Sequence, residues 1–582
     1  MFGNVLILVA LITVVNTENL DVRVVNTDQG PVKGYKLPNE NVYSFLSIPY
    51  ATAPTGLDRF KAPLPAPTWT EPFEAVEETI MCPQGTRLTD GSKNQEQCLV
   101  ASVYAPNTTL QNLPVLVYVH GGAYISGYGN SLTPKNLVEI GNIVAVTFNY
   151  RLGVHGFLCL GTEAAPGNSG IKDQVALLKW VQKNIANFGG NPKDVTIAGY
   201  SAGSSSVDLL MISKLAQGLF NKVIPESTQG LFNKVIPESS ANVQAYSVQK
   251  NPIENAKWYA RQLNFRNFND MKALEEFYLT TPLNVLSSVD VIRRSDHTTI
   301  FSPCIERDIG QEIFLSDSPV NILSSGNYTK YPMLYGFSDM EGLYRVPYFD
   351  EWKYRMNDNF AEFLPHDLRF ANEEERQEQA QRIRDYYFDD EPIGNNNILR
   401  YIDYLSDCMF AYPLLRAAKL HALAGNNRVY LYEYSFVDDD TEYIPHTNQR
   451  GATHCAQTRA VLDLPDENII SKEFREMKRR IREIWLNFIK YGEPVPKESS
   501  LPAWPPITAD NLSYMSLNTT MEYKDRLLYE RAQFWEQIYD KYYQGPSPPN
   551  PEANNLSVRP DGTSVFCILL AVHFFCFLSR IA

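Results

Sequence analysis

The stretch Gly199-Tyr-Ser-Ala-Gly203 constrains the fold more than any other part of the chain. It follows an apolar run at residues 194–198 that reads as a strand. Gly199 and Gly203 then permit a turn so tight that a strand passes straight into a helix with Ser201 held at the bend. The same alternation recurs along the sequence. Apolar runs at residues 113–119, 143–150, 331–337 and 429–436 read as strands, and residues 173–188 repeat with helical periodicity. Strands alternating with helices predict an α/β architecture, a large and mostly parallel central sheet flanked by helices. Such sheets carry their sites outside the carboxyl ends of the strands.

The candidate chemistry falls at those ends. A serine hydroxyl is a weak nucleophile that needs a base, a group that orients the base, and donors for the developing oxyanion. The run at 113–119 ends in His120-Gly-Gly-Ala123, where small residues let backbone amides approach a substrate. Gly122, Ala123 and Ala202 are the candidate oxyanion donors, and such donors are each worth about 10²- to 10³-fold in turnover. Where a nucleophile elbow is followed by acid and then histidine, the acid lies after Ser201. Glu341 and Asp339 both follow the run at 331–337; Glu341 is preferred and Asp339 is the alternative. That order sets aside His120, His155 and His297, which precede the acid, and His573 near the end of the chain. Of the rest, His421 reads as structural within a helix ended by Gly425, and His366 as solvated. His446 and His454 share one loop; Gly451-Ala-Thr-His454 sets its imidazole after a flexible glycine, which favours His454 as the base.

Composition narrows the classes. The chain has 582 residues, 44% of them hydrophobic, enough for a sizeable core, and its net charge of −14 argues against binding nucleic acid. Residues 1–17, with an apolar run from Val5 to Val15, predict a secretory signal peptide. Residues 18–543 then form the catalytic domain, 544–563 a Pro-rich solvated stalk, and 564–582 a hydrophobic tail. That tail is shorter than the ~20 residues of a spanning helix and matches a GPI-anchor signal, which predicts a membrane tether at the C-terminus and an extracellular location. Sequons at Asn107, Asn327, Asn511, Asn518 and Asn555 fit a glycoprotein. Cys82 and Cys98 bracket a polar loop that a disulfide can close. Cys159, Cys304, Cys408 and Cys455 show no evident partners, and no metal template or cofactor motif is present.

One feature fits no architecture. Residues 217–228 read QGLFNKVIPEST and residues 229–240 read QGLFNKVIPESS, a direct duplication with one change. Two units do not make a solenoid. Either copy can supply a buried strand through its Val-Ile pair, and the other must loop out.

Taken together, several segments resemble the type-B carboxylesterase/cholinesterase family, and insect carboxylesterases in particular, over about residues 20 to 540. They are Asn149-Tyr-Arg-Leu-Gly-Val-His-Gly-Phe157, Gly167-Asn-Ser-Gly-Ile-Lys-Asp-Gln174, the stretch from Phe188 to Gly203, Glu341-Gly342, Gly451 to His454, and Phe534-Trp535. The resemblance implies an α/β-hydrolase fold and a serine esterase that hydrolyses carboxylic esters with water and no cofactor. It further implies a triad of Ser201, Glu341 and His454, oxyanion donors at Gly122, Ala123 and Ala202, and a Cys82–Cys98 bridge. Xenobiotic, odorant or pheromone, and lipid-like esters are the expected substrates. The alternative within the family is a catalytically silent adhesion or binding protein, but such relatives lose a triad member and this chain keeps all three.

The chain also departs from the pattern. Gln97 stands where the family has Asp, and the family's later disulfides are not evident. The loop before Cys98 has no Trp for a choline cation, Tyr200 replaces the Gln of juvenile hormone esterases, and Ser240 replaces the Gly that follows Ser239.

Overall fold

The apolar runs pair into one sheet because a strand buried on both faces has no water for its backbone groups and must exchange hydrogen bonds with neighbouring strands. A computed structural model describes residues 21–85, 93–216, 231–289, 294–463 and 469–552. In chain order the sheet contains β1 (Asp21–Thr27), β2 (Gly30–Lys36), β3 (Val42–Pro49), β4 (Val100–Pro106), β5 (Leu113–Val119) and β6 (Val144–Phe148). It continues with β7 (Gly190–Tyr200), β8 (Lys234–Glu238), β9 (Met333–Ser338), β10 (Val429–Tyr434), β11 (Tyr514–Leu517) and β12 (Met521–Lys524). Across the sheet the order is β1-β2-β3-β4-β6-β5-β7-β8-β9-β10-β11-β12, with the short strand Phe73–Glu74 beside β2. From β6 to β11 every pairing is parallel; the pairings among β1 to β4, of β4 with β6, and of β11 with β12 are antiparallel. This is the mostly parallel sheet flanked by helices that the sequence predicts, with strand ends moved by a few residues.

Period-two alternation divides the core. In β5, Val115, Val117 and Val119 face one apolar layer while Leu116 and Tyr118 face the other. Helix α1 (Ser169–Asn184) covers the first layer with Ile171, Val175 and Leu178. Helix α3 (Lys472–Tyr491) covers the second with Ile481, Trp485 and Phe488. Between them in sequence, α2 (Ala202–Ile212) is buried along its whole length, which places the elbow at the centre of the molecule. A third cluster, around Trp352, Tyr404 and Trp535, reaches the cavity beside Ser201 through Tyr246 and Phe410.

Two of the sequence motifs meet in one ion pair. The Arg151 guanidinium grips Asp173 through Nε and Nη2 at 2.8 and 2.6 Å, with both side chains fully buried. Its Nη1 donates to the carbonyls of Arg59 and Lys61. A buried pair survives when its remaining donors are satisfied in this way, and removing one partner strands a charge at a cost of about 3–5 kcal/mol.

Cys82 and Cys98 form the expected disulfide. Contrary to the sequence reading, Cys159 and Cys304 form a second one across 145 residues. Spacing cannot reveal a pair that only the tertiary fold brings together. The bridge packs so closely on Gly167, at φ +105°, that a Cβ there meets both sulfurs within 2.8 Å. Cys408 and Cys455 are free. Gln97 shows what replaces the family's Asp: its side-chain amide accepts from the Ala53 amide and donates to the Ala53 carbonyl, a two-way contact that a carboxylate cannot make.

The second copy of the duplication supplies β8; residues 217–230, with all of the first copy, lie outside the described residues, as do the expected signal peptide, the tail and Asn555. The start of the Pro-rich segment packs on the body: Pro549 and Pro551 are buried, Pro549 lies against Gly161, and Arg307 pairs with Glu552 at 3.0 Å. Among the described residues no helix is long and apolar enough to cross a membrane.

Candidate active site

At the carboxyl end of β7, Ser201 adopts φ 53° and ψ −126°, a conformation that L-residues rarely hold without support. Its amide donates to the Glu238 carbonyl at 2.9 Å, and its carbonyl accepts from Ser205 at 3.1 Å. The flanking glycines are required by space. A Cβ on Gly203 meets the Val119 carbonyl oxygen at 2.1 Å, and one on Gly199 meets the Gly203 oxygen at 2.5 Å. The elbow is thus clamped between the ends of β5 and β8.

The other two predicted residues converge on it. Glu341 follows β9 and is completely buried; one carboxylate oxygen accepts from the Ser338 amide at 2.8 Å and the other from His454 Nδ1 at 2.5 Å. His454 Nε2 lies 2.9 Å from Ser201 Oγ. Tyr344 and Phe410 pack on the imidazole with ring centroids 5.2 and 4.5 Å away, which limits its rotation. The alternative acid, Asp339, instead accepts from the Ala452 amide at 3.1 Å and so fixes the loop that carries His454. Burial and the nearby Glu433 carboxylate push its carboxyl up to about 7.

Of the other histidines, His297 lies on the cavity wall near Ser201, its Nε2 2.8 Å from the Phe363 carbonyl, and the rest sit elsewhere. His446 is exposed. His421 is buried between Asp208 and Tyr328, the structural place its helix suggests. His120 is stacked on Tyr150, and burial lowers its pKa to about 4. His366 is half-buried rather than fully solvated, 3.7 Å from Asp296.

After β5, Gly122, Ala123 and Tyr124 have φ of 107°, 55° and 61°. Consecutive left-handed residues turn successive amides toward one concavity, an arrangement suited to an anion. A Cβ on Gly122 falls 2.0 Å from the Ser126 carbonyl oxygen. The amides of Gly122, Ala123 and Ala202 donate to no acceptor among the described residues. Ala202 opens α2, where the first turn has no intrahelical acceptor and the helix dipole favours negative charge.

Sequence reasoning missed the polar layer behind His454. Gln457 donates to Ser239 Oγ and accepts from Ser338 Oγ, both at 2.7 Å, joining the ends of β8 and β9. Glu238 accepts from Tyr432 and Thr458 at 2.7 and 3.1 Å, and burial raises its carboxyl to about 7. Ser240, in the place of the family's Gly, is fully buried, with its hydroxyl bonded to Ser205, Gln244 and Tyr246. Its sequence signals are that departure from the family pattern and its position at the end of a strand beside the elbow. The assembled groups open on a cavity of about 430 Å³ that includes Ser201, His454, Gly122 and Ala123.

The profile of the carboxylesterase family matches residues 21–535. The chain belongs to the carboxylesterase family. Esterase FE4 of Myzus persicae is 33% identical over 509 residues, 83% of this chain and 86% of that protein. A juvenile hormone esterase of Heliothis virescens is 30% identical over 538 residues, 86% of this chain and 89% of its own length. The crystal structure of juvenile hormone esterase from Manduca sexta, with OTFP covalently attached, superimposes with a TM-score of 0.77 at 28% identity. The match covers 89% of this chain and 100% of that one. The fold is that of the α/β-hydrolase esterases, and the family member described here is a carboxylic ester hydrolase.

Proposed function

We propose that this carboxylesterase cleaves its substrates through an acyl-enzyme on Ser201. The observation that carries the reading is the continuous chain of contacts from Glu341 through His454 to Ser201 Oγ. With Nδ1–H donated to Glu341, the neutral imidazole presents a lone pair at Nε2. It takes the Ser201 proton as Oγ attacks the ester carbonyl, and the resulting imidazolium is balanced by the buried Glu341 carboxylate. The carbonyl oxygen, now an oxyanion, faces the amides of Gly122, Ala123 and Ala202. Nε2–H then protonates the leaving alcohol. Water, deprotonated by the same nitrogen, attacks the acyl-enzyme and releases the acid.

Aromatic and aliphatic side chains such as Tyr200, Tyr344, Met409, Phe410 and Ile125 make up much of the cavity wall, which suits xenobiotic, odorant or lipid-like esters with apolar chains. Ser201→Ala is expected to lose at least ~10⁴-fold in turnover of a fluorogenic butyrate ester with an unchanged circular dichroism spectrum. Turnover within tenfold of the parent sinks the assignment.

Export is part of the same reading. Two disulfides suit an oxidising compartment. Asn107 and Asn327 are exposed, whereas the side-chain amides of Asn511 and Asn518 donate to Asp525 and Ser435. Glycans are therefore expected at the first two, read by mass spectrometry after enzymatic deglycosylation in heavy-oxygen water.

A further inference from the structure

Much of the wall of the cavity beside Ser201 is aromatic or aliphatic, as at Ile125, Met409 and Phe410. On that wall lies a histidine that takes no part in the proton relay. His297 is 3% exposed and holds a left-handed backbone at φ 63°. Asp296, just before it, steadies this turn by accepting from the Thr298 amide and hydroxyl at 3.3 and 2.7 Å. The backbone that presents the imidazole is therefore tied down on both sides of His297.

The Phe363 carbonyl, 2.8 Å from His297 Nε2, can only accept, so the proton is on Nε2 and Nδ1 carries a lone pair. The Tyr404 hydroxyl donates to the same carbonyl at 2.5 Å, and its ring meets the imidazole edge to face with centroids 6.4 Å apart. Turning the imidazole over gives up the Nε2 bond, so Nδ1 is fixed in orientation as well as in tautomer. Nδ1 has no hydrogen-bond partner among the described residues, although buried acceptors are nearly always satisfied. Burial lowers the His297 pKa to about 4, so the ring is neutral at physiological pH and Nδ1 remains an acceptor. A lone pair left open on a cavity wall is satisfied by a donor that arrives with the ligand.

We propose that His297 Nδ1 is a specificity determinant of this esterase, accepting a hydrogen bond from a hydroxyl group of the substrate, so that hydroxylated esters are preferred to their alkyl and methoxy counterparts. The proposal rests on the esterase reading and deepens it by naming a substrate class. Only a donor gains at this wall: a methyl group leaves Nδ1 open, and a methoxy oxygen sets one lone pair against another. An apolar wall without such an acceptor ranks the groups the other way, because a buried hydroxyl then gives up its water for nothing.

The test compares kcat/KM in two matched series. The first is the methylumbelliferyl esters of 3-methyl-, 3-hydroxy- and 3-methoxyphenylacetic acid. The second is the butyrates of 3-ethylphenol, 3-(hydroxymethyl)phenol and 3-(methoxymethyl)phenol. In at least one series the hydroxyl ester is expected to exceed both of the others about tenfold, the range of one neutral hydrogen bond to a buried acceptor. His297→Phe is expected to bring that ratio to about one or below, and His297→Asn, whose side-chain oxygen can stand in for Nδ1, to restore part of it. The ratio is read within each protein, so a general structural loss, which lowers all three esters alike, leaves it unmoved. A preference that survives His297→Phe, or hydrolysis by the parent with no hydroxyl preference in either series, overturns the assignment while leaving the esterase reading intact. No hydrolysis of any ester overturns the esterase reading itself. The parent protein alone decides the first comparison, so a variant that misfolds does not protect the proposal.

Discussion

Replacing Glu341 by Gln separates the two candidate acids, because the buried geometry dictates how the amide must sit. Both partners of the Glu341 carboxylate are donors: the Ser338 amide at 2.8 Å and His454 Nδ1–H at 2.5 Å. A glutamine offers one acceptor and one donor. The backbone N–H of Ser338 cannot change its role, so the amide oxygen stays there and the NH₂ group faces the imidazole. His454 must then place its lone pair on Nδ1 and its proton on Nε2, the atom 2.9 Å from Ser201 Oγ. A protonated Nε2 cannot take the serine proton. In serine hydrolases whose triad acid is an aspartate, the equivalent amide lowers kcat about 10⁴-fold, and the same loss, ~5 kcal/mol of transition-state stabilisation, is expected here. KM should change little, since the amide is isosteric and lies behind the histidine. The assay is steady-state hydrolysis of a methylumbelliferyl butyrate, with Asp339→Asn as the paired variant. Asp339 fixes the loop through Ala452 and is expected to lose far less turnover. A Glu341→Gln enzyme within tenfold of the parent, or an Asp339→Asn enzyme as impaired as Glu341→Gln, refutes the reasoning.

Other consequences concern folding. Deleting residues 217–228 is expected to leave structure and activity intact, since β8 comes from the second copy; deleting 229–240 yields a chain of the same length that differs only by Thr in the place of Ser240. The added methyl enters the buried cluster around Ser240 Oγ, so that variant should be ~1–3 kcal/mol less stable by urea unfolding. Equal stability of the two deletions refutes the packing argument. In the loop-entropy account, replacing Cys159 and Cys304 by Ala costs about 5 kcal/mol for a 145-residue separation, against about 3 for Cys82 and Cys98 at 16 residues. The order of the two losses in chemical unfolding checks it. Finally, Glu238 has a folded pKa near 7 against 4.5 in the open chain. The native state therefore holds a proton that the unfolded state releases, and stability falls as pH rises from about 4.5 to 7, by up to ~3 kcal/mol. Glu238→Gln should match the parent at pH 4.5 and exceed it at pH 8; a pH-independent difference contradicts this sign.

The elbow was legible from sequence because its constraints are local. Gly199 and Gly203 are needed within one turn of Ser201, and the strand before it is a simple apolar run. His454 and the two candidate acids could be singled out through order along the chain, which follows from the order of the strands that deliver them. The sequence already prefers Glu341 over Asp339; what the coordinates add is the partner each carboxylate meets, His454 for Glu341 and the Ala452 amide for Asp339. The Cys159–Cys304 bridge and the Gln457–Ser239–Ser338 bonds were invisible for a related reason. Each joins residues distant in sequence whose types are unremarkable alone. The duplication was visible at once, yet nothing in two nearly identical copies tells which one pairs between β7 and β9.

The most direct test of the account is covalent labelling of the folded protein with a fluorophosphonate, followed by peptide mass spectrometry. The probe reacts with a serine only when a base has activated its hydroxyl. The account predicts a stoichiometric adduct on Ser201 that disappears in His454→Ala. Absence of any adduct on folded protein, or an adduct on a different serine, contradicts it.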